Sequence, residues 1–167
     1  MLISDTFPPS TPCPCGTGQP FADCCAPYLQ GQHLAPTAEA LMRSRYSAYC
    51  LKNIDYLIQT HHPTRRKSNS RRQITATVNG VTWLGLTVVA TQAGQPEDQT
   101  GVVEFVAVYQ EGLQAAQLHE RSRFLSGNRV GGFIWMGEML PPLKPNRNQP
   151  CWCHSGKTFK QCHGKKR

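Results

Sequence analysis

Two short segments, one near each end of the chain, contain seven of its eight cysteines. Both follow the pattern P-C-x-C-x-[ST]-G-x-x-F-x-x-C-[CH], the first over Pro12–Cys25 and the second over Pro150–His163. The last position is therefore Cys25 in one copy and His163 in the other. Zinc accepts thiolate and imidazole ligands interchangeably in a tetrahedral shell, whereas a disulfide tolerates no such exchange. The pattern predicts one zinc site in each segment.

Each copy supplies four candidate ligands, which close a tetrahedral shell. The predicted ligands are Cys13, Cys15, Cys24 and Cys25 at the first site, and Cys151, Cys153, Cys162 and His163 at the second. A catalytic zinc ion keeps an open position, so both ions are predicted to be structural. His154 is an alternative fourth ligand at the second site, but the aligned position favours His163. A disulfide framework is the other interpretation, and it is rare in proteins without an export signal.

The positions of these segments divide the chain into three predicted parts. They are an N-terminal module (residues 1–31), a central domain (residues 32–141) and a C-terminal module (residues 142–167) with a basic tail. Modules of about 20 residues cannot build a hydrophobic core, so the ion is expected to supply their folding free energy. Phe21 and Phe159 are predicted to form the small apolar cover of each ion.

The central domain begins with helical patterns. Residues recur at helical spacing from residue 38 to about residue 50, with Thr37 as the predicted N-cap. They are Leu41, Met42, Arg45, Tyr46, Tyr49 and Cys50, and Arg43, Ser44 and Ser47 lie on the other side. A second helix is predicted from Asn53 or Asp55 to Thr60. Residues 64–79 fit either a third helix or a loop.

From residue 81 the pattern changes to segments rich in Val, Thr and aromatic residues, bounded by glycine or polar turns. Four strands are predicted: Val81–Ala93, Val102–Glu111, Gln114–Ser126 and Val130–Met139. The short links between them imply hairpins and hence an antiparallel sheet. Helices packed on one face of such a sheet make an α+β domain.

Three polar residues on the predicted strands are candidates for a pocket: Glu104, His119 and Glu120. A tight turn at residues 112–113 would pair Glu104 with Arg121 and Val106 with His119. A cross-strand ion pair is then the favoured explanation of these charges. The alternative hypothesis is small-molecule binding or enzymatic activity in the central domain, with one of the three as an acid or base. The sequence shows no nucleophile with an orienting partner, which favours the structural interpretation.

The positive charge of the chain is confined to two segments. The net charge is +8, with −2 on residues 1–31, +5 on residues 64–72 and +7 on residues 144–167. The predicted docking residues are Trp152, Lys157, Lys160, Lys165 and Lys166. Such a patch attracts acidic proteins, nucleic acid or anionic lipid, and charge alone does not choose among them. Trp152 could stack on a base, dock on a protein or shield the metal.

No apolar run is long enough to cross a bilayer. Residues 1–10 lack the basic start and the continuous apolar stretch of a signal peptide. The sequence therefore predicts a cytoplasmic protein without a membrane span.

The two cysteine segments resemble the SEC-C motif, a short zinc-binding element at the C-terminus of the translocation motor SecA and in many bacterial proteins. The second copy is close to the motif. The first departs from it at Gln19-Pro20, where the motif usually has Lys or Arg. In SecA the motif engages an acidic chaperone and lipid, so the resemblance implies protein docking as well as zinc binding.

Nearly the whole chain resembles the YchJ family of small uncharacterised bacterial proteins. The resemblance rests on residues 38–49, Trp83–Leu86, Val103–Phe105 and His119–Phe124. It implies a nuclear-transport-factor-2-like (NTF2-like) central domain, in which helices cover a curved four-stranded sheet and leave a pocket. It implies no established activity. Together these observations predict a zinc-binding adaptor whose basic C-terminal module docks on an acidic protein or nucleic acid.

Overall fold

The protein forms an α+β fold, in which helices pack on one four-stranded antiparallel sheet. The computed structural model describes residue 8 and residues 10–127, 132–153 and 155–165, with the side chains of residues 127–136 outside the description. The helices are α1 (Ala26–Leu29), α2 (Ala38–Cys50), α3 (Ile54–Gln59) and α4 (Ser70–Gly80). The strands are β1 (Thr82–Ala93), β2 (Thr100–Glu111), β3 (Gln114–Gly127) and β4 (Gly132–Met139), in the order β1-β2-β3-β4. The predicted fold class is confirmed.

Helices α2 and α3 begin where their caps predict. The Thr37 hydroxyl accepts a hydrogen bond from the Ala40 amide at 3.0 Å. The side chain of Asn53 accepts one from the Tyr56 amide at 3.1 Å. Each cap satisfies a backbone donor that the first helical turn leaves free. The predicted helix over residues 38–50 has the observed bounds of α2.

Residues 64–79, which were predicted to form either a helix or a loop, contain both. A short 3-10 turn spans Pro63–Arg65, and α4 follows from Ser70. Ile74 and Val78 are buried, one helical turn apart on one face of α4. The basic residues Arg71 and Arg72 remain exposed. The two buried residues hold α4 against the domain, although most of this segment is polar.

The β2–β3 hairpin has the predicted register. Glu104 lies opposite Arg121, and Val106 lies opposite His119. Gly112 in the turn has a φ of 57°, a left-handed conformation that glycine adopts without strain. β1 pairs with β2 through two register shifts, one of them between Trp83 and Gly85.

Helix α2 is buried on both sides. One side packs against the sheet, with Leu41 and Met42 in the core. The other side, which the sequence pattern left polar, is also covered. Ser44 and Ser47 have no exposed surface, and the Ser44 hydroxyl lies 2.7 Å from the hydroxyl of Tyr56 on α3. None of the helices in the described part of the chain is long and apolar enough to span a membrane.

Candidate metal centres

The two cysteine segments share one backbone framework. In each, the amide of the first cysteine donates to the carbonyl six residues later, and the phenylalanine amide donates to the carbonyl ten residues earlier. The bonds are Cys13 to Gln19 and Phe21 to Thr11 in the N-terminal module, and Cys151 to Lys157 and Phe159 to Gln149 in the C-terminal module, all at 2.8 Å. A 3-10 turn then leads into the last two candidate ligands of each segment.

The N-terminal cluster brings together the four sulfurs that the sequence predicts. All four Sγ atoms lie within 4.8 Å of one another. Cys15 Sγ is 3.5 Å from Cys24 Sγ, which is 3.8 Å from Cys25 Sγ. A zinc–sulfur bond of about 2.3 Å places two sulfurs of a tetrahedron about 3.8 Å apart, whereas a disulfide needs about 2.05 Å. The spacing matches ligands around one ion.

The C-terminal cluster has the same geometry with one nitrogen. The Sγ atom of Cys153 lies 3.5 Å from that of Cys151 and 3.6 Å from that of Cys162. His163 Nδ1 lies 3.3 Å from the sulfurs of both Cys151 and Cys162. His163 thus occupies the fourth corner of this cluster. The alternative ligand His154 lies outside the described residues.

Cys15 and Cys25 have very different pKa values because both share hydrogen bonds with Cys13. Hydrogen bonding with Cys13 holds the pKa of Cys15 far below its ordinary value. Hydrogen bonding with the same cysteine holds the pKa of Cys25 far above its ordinary value. Burial raises the pKa of Cys24 to about 11. Metal binding displaces such shared protons, since the ligands are thiolates. The donor set therefore fits a thiolate-binding divalent cation.

In the C-terminal cluster the pKa of Cys153 is lowered to about 6. Burial acts to raise this pKa, but hydrogen bonds with Ser155 and neighbouring thiols outweigh burial. Burial raises the pKa of Cys151. The two clusters can each hold a metal ion through four ligands.

The N-terminal module is part of the protein core. Phe21 and Cys25 belong to the same buried cluster as Leu41 of α2. Cys13 Sγ lies 3.5 Å from the buried Ser47 hydroxyl, and the Arg43 guanidinium donates to the Cys15 carbonyl at 2.8 Å. α2 therefore contacts the predicted ligands themselves and also holds their backbone.

Gly16 brings this module close to the sheet. Its φ is 80°, and a Cβ atom at this position would lie 3.2 Å from the Leu86 carbonyl of β1. A larger residue would be strained by the left-handed φ and tightly crowded by the strand. Gly16 thus lets the turn between Cys15 and Cys24 lie against β1.

The C-terminal module is more exposed. Cys151 is buried, whereas Cys153 and Cys162 are half-buried and His163 is exposed. The Trp152 ring lies on the imidazole of His163, with 4.2 Å between the centroids. The predicted docking residues Lys157, Lys160 and Lys165 are exposed, and Lys166 lies outside the described residues. The module thus presents three described lysines to solvent, and one of its candidate ligands packs against a tryptophan ring.

The structure does not bring Glu104, His119 and Glu120 together in one pocket. Consecutive strand residues point to opposite faces of a sheet, so His119 and Glu120 are separated. Glu104 joins His119 on the outer face, at 2.9 Å from its Nε2 atom, and also accepts from Arg121 at 2.9 Å. These hydrogen bonds, the one from Arg121 first, lower the pKa of Glu104. Glu120 is buried on the inner face, where it accepts a hydrogen bond from the Ser122 hydroxyl.

His119 also connects the sheet to the segment leading into the C-terminal module. Its Nδ1 atom lies 2.6 Å from the Pro141 carbonyl. The neighbouring Gln117 donates to the Leu143 carbonyl at 2.8 Å. His119 and Gln117 therefore hold the connecting segment against the sheet.

Sequence reasoning did not find the contacts that Ser47 and Arg43 make with the N-terminal cluster. The sequence pattern placed both residues on the polar side of an amphipathic helix. The sequence did contain a signal for this packing: the small residues Ser44, Ser47 and Ala48 lie on one face of α2. Small side chains let a second element approach a helix closely.

Comparisons with known families and relatives agree with this geometry. Residues 37–134 match the family described as YchJ, middle NTF2-like domain, and residues 10–27 and 147–165 match the SEC-C motif. A UPF0225 protein from Photorhabdus laumondii is 45% identical over 156 residues, covering 91% of this chain and 98% of the relative. One from Vibrio cholerae is 41% identical over 152 residues, covering 91% and 99%.

Two solved structures are also similar. The solution structure of a SEC-C motif containing protein from Rhodopseudomonas palustris has a TM-score of 0.70 and 34% identity, covering 78% of this chain and 100% of that chain. The crystal structure of a SEC-C motif containing protein from Psychrobacter arcticus has a TM-score of 0.59 and 30% identity, covering 98% of each chain. The chain therefore belongs to the YchJ family, with an NTF2-like middle domain between two SEC-C motifs.

Proposed function

We propose that each cluster binds one structural zinc ion. The sulfur–sulfur and sulfur–nitrogen distances of 3.3 to 3.8 Å in both clusters support this, since they match the edges of a zinc tetrahedron. Both donor sets supply four protein ligands, which leaves no coordination position for a substrate. The ions would stabilise their modules and would take no part in a reaction.

We propose further that the protein is an adaptor whose C-terminal module docks on an acidic partner protein. The observation that carries this proposal is the exposure of Lys157, Lys160 and Lys165 on a segment of +7 charge. Nucleic-acid binding through single strands relies on aromatic rings that stack on bases. In this module the Trp152 ring already packs against the His163 ring, which favours an acidic protein surface over single-stranded nucleic acid.

This proposal keeps the three-part division of the chain. The N-terminal module and the central domain form the body, and the C-terminal module is the docking element. The proposal includes a cytoplasmic location, where cysteines stay reduced and can bind zinc.

Metal analysis of the purified full chain tests the zinc proposal. We expect about two zinc ions per chain, one for each cluster. A value near zero in protein purified without chelator would reject it. Iron in place of zinc, recognised by its colour, would reject the metal identity alone.

The docking proposal is tested with an acidic peptide rich in Glu and Asp and with a DNA duplex of the same total charge. In the docking variant Lys157, Lys160 and Lys165 are changed to Gln. In the control variant Arg65, Lys67 and Arg72, which are also exposed and carry the same total charge, are changed to Gln. We expect the docking variant to bind the peptide about tenfold more weakly and the control variant to bind it normally.

Peptide binding should also weaken as salt rises, because the ion pairs are exposed. Equal losses in both variants would reject a docking role for the C-terminal module. Tighter binding of the duplex would indicate nucleic acid as the partner class. Binding only to vesicles of anionic lipid would indicate a membrane surface.

A further inference from the structure

The two cysteine clusters differ in how firmly the body of the protein holds them. The hydrogen bonds that the described residues of 146–165 make all lie within that segment. Cys151 is buried, but in the described part of the chain it lies outside the hydrophobic core, which includes Cys15 and Cys25. The ligands of the C-terminal cluster can therefore move without disturbing the core.

Two sulfurs of the C-terminal cluster form a pair that a small oxidant can reach. Cys153 and Cys162 are both half-buried, and their Sγ atoms lie 3.6 Å apart. Susceptibility of cysteine to oxidation follows its thiolate character and its exposure. A disulfide bond is about 2.05 Å long, so an approach of about 1.5 Å would bond the two sulfurs to each other.

The corresponding pair of the N-terminal cluster is held in place by the core. Cys15 Sγ lies 3.5 Å from Cys24 Sγ, and Cys24 is half-buried, but Cys15 has no exposed surface. The Arg43 guanidinium donates to the Cys15 carbonyl, and Gly16 lies close to the Leu86 carbonyl of β1. A disulfide at this pair would displace closely packed backbone. We therefore expect an oxidant to act first on the C-terminal cluster.

We propose that the C-terminal cluster is an oxidation-sensitive switch, in which a peroxide links Cys153 to Cys162 through a disulfide bond. One of the two thiolates attacks a peroxide oxygen, breaks the O–O bond and becomes a sulfenic acid. The other thiolate attacks the sulfenic sulfur and expels hydroxide. With hydrogen peroxide, two thiolates and two protons thus give one disulfide and two water molecules. A dithiol reductant reverses the change by thiol–disulfide exchange.

The disulfide would disable the docking element. It consumes two of the four ligands and leaves Cys151 and His163, which cannot close a tetrahedral shell. A module of about 20 residues depends on its ion for folding, so Lys157, Lys160 and Lys165 would no longer lie on one fixed surface. This consequence rests on the proposed zinc binding and adaptor function. Docking would then depend on the redox state of the surroundings.

Hydrogen peroxide added to the zinc-loaded full chain tests the proposal, once the zinc content of the untreated protein has been measured. An indicator dye follows zinc release. We expect one of the two ions to leave at least about tenfold faster than the other, because its thiolates are accessible without opening of the core. Dithiothreitol and added zinc should restore the starting state. The oxidised protein should bind the acidic peptide about tenfold more weakly.

Mass spectrometry identifies the sulfurs that react. Free thiols are blocked, and the oxidised protein is digested with trypsin. Cleavage after Arg147, Lys157, Lys160 and Lys165 separates Cys153 from Cys162. We expect residues 148–157 to be linked to residues 161–165, with the blocking group on Cys151.

Cys162→His provides a matched control. Zinc accepts imidazole in place of thiolate, so this variant keeps four ligands but cannot form the proposed disulfide. It should release its C-terminal ion at least about tenfold more slowly than the wild type in peroxide. If the variant does not hold two ions, the comparison of the two clusters within the wild type decides the question.

The outcomes separate the switch from the functions on which it rests. Absence of zinc from the untreated protein would reject the proposed metal sites and the switch with them. Failure of the untreated protein to bind the peptide would reject the adaptor function and the control of docking. With both ions present, equal release rates, no release, or release without the link between Cys153 and Cys162 would overturn the switch alone. Unchanged peptide binding after the link has formed would overturn its effect on docking.

Discussion

The N-terminal and C-terminal modules carry the same ligand spacing on the same backbone framework, yet their surroundings differ. In the N-terminal cluster Cys13, Cys15 and Cys25 are at most 4% exposed, and α2 contacts the cluster directly. In the C-terminal cluster His163 is exposed, and the described lysines of the module are exposed as well. The motif itself therefore does not determine the role of a module. Its contacts decide whether it supports the core or presents a surface.

The net charge also differs between the buried N-terminal module and the exposed C-terminal module. The N-terminal module has a net charge of −2 and no basic residue, and residues 144–167 have +7 and no acidic residue. A module that packs against a domain gains little from long lysine side chains, whereas an exposed docking element uses them to attract a partner. The following experiments test this difference.

Replacing one predicted ligand in each module should give the largest difference in stability between the two modules. Cys25→Ser should destabilise the central domain by roughly 3 to 5 kcal/mol, or about 10 °C in Tm, because the proposed ion would hold Phe21 and Cys13 against α2. Cys162→Ser should change the Tm of the same transition by less than about 2 °C. Thermal unfolding followed by near-UV circular dichroism measures both. Equal destabilisation by the two variants would show that both modules support the core.

Chelator should remove the two ions at different rates. The C-terminal ion should leave at least about tenfold faster, because its ligands are accessible without opening of the core. An indicator dye measures zinc release after EDTA is added. Cys162→Ser should lack the fast phase and keep the slow one. A single phase in the wild-type protein would contradict the proposed difference in protection.

One hydroxyl group lies near each cluster, and removing these two hydroxyls should have smaller effects than removing a ligand. Ser47 lies 3.5 Å from Cys13 Sγ and is buried, whereas the exposed Ser155 lies 3.5 Å from Cys162 Sγ. Ser47→Ala should weaken zinc binding at the N-terminal cluster about tenfold and cost about 1 kcal/mol of stability. Ser155→Ala should have a smaller effect, since water can replace an exposed hydroxyl. Competition with a chelator of known affinity provides the measurement, and a larger effect at Ser155 would reverse the comparison.

The smallest expected effect concerns the outer-face charges beside the C-terminal connection. The folded protein lowers the pKa of Glu104 through Arg121 and His119. Its ionised form therefore adds stability above the unfolded pKa, near 4.3, and this stability is lost as the pH falls through the lower folded pKa. Glu104→Gln should be less stable than the wild type at pH 7, and the difference should shrink in acid. Urea unfolding of both proteins at pH 7 and in acid tests this, and an equal difference at the two pH values would contradict it.

Local signals explain which parts of the fold were predictable. The Thr37 cap and the helical spacing gave the bounds of α2, and the turn at Gly112 gave the β2–β3 register. Both are determined by residues that are neighbours in sequence. The burial of Ser44 and Ser47 depends instead on where α3 and the N-terminal module pack, which periodicity does not encode.

The candidate sites were likewise predictable only where the local sequence determines them. The two candidate ligand clusters were predictable because their residue spacing repeats, and the structure brings each set together. The pocket hypothesis left open which of Glu104, His119 and Glu120 faces a pocket, and strand alternation places Glu120 on the inner face and the other two on the outer face.

The hydrogen bonds at Pro141 and Leu143 limit how far the C-terminal module can reach. The next described hydrogen bond along the chain joins the Asn146 amide to Gln149 within the module. Only three Cα–Cα steps separate Leu143 from Asn146, so the link spans at most about 11 Å when fully extended. A partner docked on the module as proposed would therefore lie close to the outer face of the sheet, beside the body of the protein.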